Sequence, residues 1–119
     1  MAIEIGSKGL AAVNLVIPQG ASLAFAIVHK DAAGGIIDHS QSTIKMALQT
    51  RSGTDTYDMS EYCEGQTEQI TVSLPPDVTT ELPKGQLVWD IFAEMLNGAS
   101  IRLAYGSVNV VDTYALDGE

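Results

Sequence analysis

The chain has 119 residues, 45% of them hydrophobic, and its six basic and fifteen acidic side chains give a formal net charge of −9. That length and composition predict one domain with a core of its own, and they exclude a charged, disordered chain. The acidic balance argues against a phosphate backbone as partner, and the single cysteine, Cys63, excludes an intrachain disulfide and a cysteine-rich zinc site.

The opening stretch, MAIEIGSKG, carries Glu4 and lacks a basic-then-apolar signal pattern. No apolar run approaches the roughly 20 residues of a membrane helix, so the expectation is synthesis and solubility in a cytoplasm, with no membrane partner. Residues 1–11, with Gly6 and Gly9, are expected to form a flexible arm outside the core. Ile3 and Ile5 are its only alternating apolar pair. They are too few to offset an ordering entropy of about 1–2 kcal/mol per residue. The arm is therefore predicted to dock by adding a strand to a neighbour's sheet edge.

From residue 12 to 112 the dominant period is two. AAVNLVI is β-branched and stops at the turn Pro18-Gln19-Gly20. ASLAFAIVHK alternates Leu23, Phe25 and Ile27 with small residues, and DAAGG (31–35) is a loop. STIKMALQTR sets Ile44, Met46 and Leu48 on one face and Lys45 and Gln49 on the other, before SGTD closes it. EQITVSL repeats the pattern with Ile70, Val72 and Leu74. In PPDVTTELPKG, Asp77 is placed to cap one short helical turn ending before Pro83, and Thr79 and Thr80 oppose anything longer. Residues 113–119 read as a frayed tail. The sum is an all-β, antiparallel β-sandwich, Ig-like or jelly-roll-like, of about seven to eight strands with no helix longer than two turns.

The last hairpin, WDIFAEMLNGASIRLAYGSVNV, admits two registers. A two-residue turn at Asn97-Gly98 pairs Ala93 with Arg102 and Ile91 with Ala104, which mixes polar and apolar residues on one face. A three-residue loop with Gly98 at positive φ, or a five-residue loop, pairs Ala93 with Ile101, Ile91 with Leu103 and Trp89 with Tyr105. A one-residue slip swaps every side chain between faces, so core formation selects the second. Trp89, Ile91, Leu103 and Tyr105 are then the predicted core anchors, and Gly106 marks a bulge or a close approach.

Reaction chemistry is sparse. His29 and His39 stand ten residues apart without a ligand pattern and read as ordinary strand-end or loop histidines. Cys63 lies between Glu61 and Glu64, whose charges oppose a thiolate, so it reads as half-buried and structural. Asp55, Asp58, Glu61 and Glu64 are the candidate ion ligands, but they lack an EF-hand glycine and read as a solvated loop. No phosphate loop, nucleophile elbow or HExxH stretch occurs, so no enzyme, cofactor or metal is expected.

Three segments resemble one family. SLPPDVTTELPKGQLVWDI is similar to a strand ending in Leu-Pro, a T..L..G turn and an aromatic-Asp-apolar strand. SIRLAYGSVNVV is similar to a closing strand with a G.V.V ending, and STIKMALQTR to the preceding alternating strand ending in Arg. With IPQGASLAF, the pattern resembles the small β-sandwich of tailed-bacteriophage structural proteins, such as baseplate upper protein and fibre N-terminal domains and short stand-alone virion proteins. It spans residues 13–111. Where that family often has Asp-Leu-Thr-Gly, this chain keeps only Asp38, in Ile37-Asp38-His39-Ser40. The resemblance implies a virion protein made in the host cytoplasm: a capsid-decorating component, or a tail fibre or baseplate adaptor, docking to other virion proteins. It also implies a homo-oligomer, a trimer being favoured. A carbohydrate-binding module is the alternative, with Trp89, Tyr57, Tyr62 and Tyr105 as the candidate platform.

Overall fold

The computed structural model describes residues 2–6 and 11–112. Among these residues, ten strands form two facing sheets. The first holds β1 (Ala2–Ile5), β4 (Leu23–His29), β8 (Ile70–Leu74) and β7 (Cys63–Gly65), in the order β1-β4-β8-β7. The second runs β2-β10-β9-β5-β6, from β2 (Ala11–Ala12), β10 (Ser100–Val111), β9 (Gly85–Glu94), β5 (Thr43–Thr50) and β6 (Thr56–Asp58). In that sheet β3 (Leu15–Pro18) continues β2 along the same edge of β10. This strand order is that of an Ig-like sandwich.

The period-two segments predict this layering because alternate side chains must share one face. Phe25, Ile27, Ile70, Val72 and Leu74 from the first sheet are buried against Ile44, Met46, Leu48, Trp89 and Ile91 from the second. Phe25 and Trp89 meet edge to face across the sandwich, with ring centroids 6.0 Å apart at 80°. Each such side chain stabilises the fold by about 1.5–3 kcal/mol.

Four expectations about the strands, helix and arm are corrected, and a fifth in the last hairpin. The sheets are mixed rather than antiparallel: β1 runs parallel to β4, and β2 and β3 run parallel to β10. Ten strands replace seven or eight, because the first apolar stretch splits at Val13-Asn14 and because β1 and the short β6 and β7 are strands too. The helix α1 (Pro76–Thr80) has Pro75 at its N-cap and no side-chain cap, so Asp77 lies inside its first turn. Its anchor is the buried Thr79, whose Oγ1 accepts from the Gly20 amide at 3.1 Å and donates to the Ala21 carbonyl at 2.8 Å.

The fourth concerns the arm. Residues 2–5 form a strand of their own domain, registered against Ala26 to His29. Ile5 is 4% exposed, and Ile3 packs against the core. The entropy of ordering so short a strand is offset because β4 already presents an open edge and Ile5 fills the end of an existing core. Met1, residues 7–10 and residues 113–119 lie outside the described residues. Ile5→Ser is expected to lower the isolated chain's stability by about 2–4 kcal/mol, read as a denaturant midpoint shift at constant slope. A free arm would give no shift.

The hairpin contains both registers. Glu94, Ala93 and Phe92 pair with Ser100, Ile101 and Arg102, as the longer loop requires, and Gly98 has φ +88°. The register then shifts between Arg102 and Ala104, so Ile91 pairs with Ala104 and Trp89 with Gly106. Leu103 and Ala104 are consequently both buried in succession. The bulge keeps apolar residues inward on both sides of the slip. It also turns Tyr105 outward, 37% exposed, which removes it from the predicted core anchors. Trp89, Ile91 and Leu103 are buried.

Candidate functional site

At one end of the sandwich, β4 turns into β5 and β9 into β10, since Thr43 pairs with Glu94. Asp38, Ser40, Gln41 and Ser42 of the first connection face Met95, Leu96 and Asn97 of the second across a cleft of about 340 Å³. The hairpin tip is closed by its own hydrogen bonds. The Met95 carbonyl accepts from the Gly98 amide at 2.9 Å, and the Asn97 side chain accepts from the Ala99 amide at 2.9 Å. This turn holds Leu96 outward at 78% exposure. Among the described residues Leu96 is the most exposed of the large apolar side chains.

The opposite wall rests on buried polar groups. His29 and His39 are each 1% exposed, with Nδ1 of His29 2.9 Å from Nε2 of His39 and rings inclined by 10°. Nδ1 of His39 lies 2.9 Å from the Ser42 hydroxyl. The His39 amide donates to the Gln66 carbonyl at 3.1 Å, and its carbonyl accepts from the Ser42 amide at 3.0 Å. A Cβ at Gly65 would overlap the His39 carbonyl, so glycine is needed where β7 passes under this segment. The sequence reading missed the histidine pair. Its trace in the sequence was His29 at an inward-facing position of an alternating strand.

A second concavity, of about 440 Å³, lies on the outer face of the six-stranded sheet. Gln49, Val88, Asp90, Arg102 and Tyr105 line it. The Arg102 guanidinium lies 4.9 Å from the Tyr105 ring centre and 3.4 Å from Asp90. The guanidinium thus lies over the Tyr105 ring, while Trp89 is interior and Tyr57 and Tyr62 are half-buried against the core.

Among the described residues, no group of three or more His, Cys, Asp or Glu converges as a metal site. Asp58, Glu61 and Glu64 fall on β6, a 3₁₀ turn (Ser60–Tyr62) and β7 in succession. Asp58 takes the Ser60 amide at 2.9 Å, and the hydrogen bonds from Ser60 hold its carboxyl below the usual range. Cys63 has its pKa pushed up to about 12, by burial first and by Asp58 second, in place of the Glu61 and Glu64 charges expected. Its thiol lies 3.5 Å from the Met59 carbonyl and stays protonated near neutrality. No described helix is long and apolar enough to cross a membrane. Neither the protein-family models nor the curated proteins give a match to this chain.

Proposed function

We propose that this protein is a non-enzymatic docking module of a larger assembly and, from the resemblance of residues 13–111, a virion structural component of a tailed bacteriophage. Its partners are other virion proteins and further copies of itself. The observation that carries the docking reading is Leu96, 78% exposed on a hydrogen-bonded hairpin tip at the edge of a cleft. A short apolar knob flanked by polar loop residues suits a shallow pocket on a neighbouring subunit. The acidic surface adds long-range selection of a basic partner.

The test is the protein content of particles sedimented from a producing culture. The wild-type chain is expected in them at stoichiometric level. Leu96→Ser is expected to reduce incorporation at least about tenfold, one buried apolar side chain's worth, while leaving the melting temperature of the isolated chain unchanged. Absence of the wild-type chain from particles refutes the virion reading. Full incorporation of Leu96→Ser moves the docking surface elsewhere.

A further inference from the structure

We propose that the His29–His39 pair is a pH-sensitive latch that holds the 36–42 segment, one wall of the cleft, closed near neutrality and releases it on mild acidification. With both rings neutral, one N–H lies between Nδ1 of His29 and Nε2 of His39, whose separation is 2.9 Å. One added proton can sit on an outer nitrogen as a buried charge. A second would put N–H groups on both facing nitrogens, and the contact would become repulsive. The closed pair therefore accepts fewer protons than two open, hydrated imidazoles.

The latch is well placed to move one segment alone. His39 joins the connection to β4 through His29, to its own turn through Ser42 and to the β7–β8 connection through Gln66. Beyond those ties, the segment from Ile36 to Ser42 bonds to β4 through the Ile37 amide on the His29 carbonyl at 2.8 Å, again at the latch. The core strands β9 and β10 are held by their own ladder and need none of these bonds.

Among the described residues, the carboxylates on the surrounding elements are exposed, and most are already engaged in bonds of their own. Glu4 on β1 is paired with Lys30 at 3.2 Å. Glu64 on β7 accepts from the Gln66 side chain at 2.8 Å, and Asp31 is taken up by the Ala33 and Gly35 amides. Glu68, in the turn before β8, is exposed. Asp38 is the neighbour that favours a charged His39, but it is exposed and accepts from the Ser40 amide at 2.7 Å. Burial first and the charge of His29 second hold His39 below the ordinary imidazole value, against the smaller upward pull of Asp38. A lowered imidazole binds its proton less readily closed than open. Closure is therefore fully favoured above pH about 6.5 and weakens as pH falls below it, by about tenfold per pH unit for each proton taken up.

Hydrogen exchange of the full chain, corrected for the intrinsic pH dependence of amide exchange, reads this directly. Between about pH 7 and about pH 5, peptides spanning 36–42 are expected to lose protection at least tenfold, while β9 and β10 keep theirs. Unchanged protection in 36–42, or equal loss in every strand, overturns the proposal. His39→Gln keeps a polar side chain that cannot titrate, and its 36–42 protection is expected to be flat over the same range; a persisting pH dependence overturns the latch. Should that variant not fold, ring-proton resonances of the wild-type histidines decide. At least one imidazole must stay neutral until 36–42 opens, and ordinary titration of both rings with 36–42 still protected overturns it. The latch needs no partner to be tested. Its consequence for docking rests on the reading of the cleft, which Leu96→Ser tests at constant pH.

Discussion

Trp89→Ala is expected to cost the isolated domain about 3–5 kcal/mol, a large part of the total stability of a chain of this size. The indole, 3% exposed, spans both layers: its ring meets Phe25 of the facing sheet, and its Nε1 donates to the Val13 carbonyl at 2.9 Å. The truncation thus opens a cavity and leaves a carbonyl short of its donor where the first stretch breaks into β2 and β3. Trp89→Phe refills most of the volume but not the donor, so it should recover only part of the loss. Equilibrium denaturation of the three proteins separates the two contributions, with native emission from Trp89 expected at a buried wavelength. A loss under about 1 kcal/mol for Trp89→Ala would contradict the packing described.

Gly106→Ala is expected to destabilise by about 3 kcal/mol, unusual for adding one methyl group. Gly106 faces Trp89 across the hairpin, and a Cβ there would overlap the Val13 carbonyl oxygen. The obstruction is backbone, held by the Trp89 indole and by the Val13 amide on the Tyr105 carbonyl at 2.8 Å, so it cannot rotate away. Because both substitutions act through the Val13 carbonyl, the double variant should lose clearly less than the sum of the two single losses. Strict additivity in a double-mutant cycle would show that the two sites do not share this contact.

The alternation of Phe25 and Ile27, of Ile44, Met46 and Leu48, and of Ile70, Val72 and Leu74 was enough to identify the inward faces, because a strand's side-chain period is a local property. Gly98 likewise pointed to a longer loop and Gly106 to a bulge or a close approach; the close approach is at Gly106, whereas the bulge falls at Leu103 and shifts Ile91 and Trp89 from the expected partners Leu103 and Tyr105 to Ala104 and Gly106. The cleft was not legible, because Leu96 reads as one more apolar residue of a hairpin until the turn is seen to hold it out. The histidine pair was not legible either. His29 and His39 are separated by a connection whose path is decided by the Asp31 turn, the Ile37–His29 bond and the Gly65 crossing, and none of these has a period.

What the sequence determined by itself is the two-layer all-β architecture and most of its core, since burial of alternating faces follows from pattern alone. What only the tertiary structure decided is the role of each element at its boundaries. Ile5 is buried because β4 offers an unpaired edge, and Tyr105 is turned out because one extra residue is absorbed at Leu103. Edges, bulges and connections depend on which strand lies alongside, and that is settled by the long-range closure of the two sheets on one core.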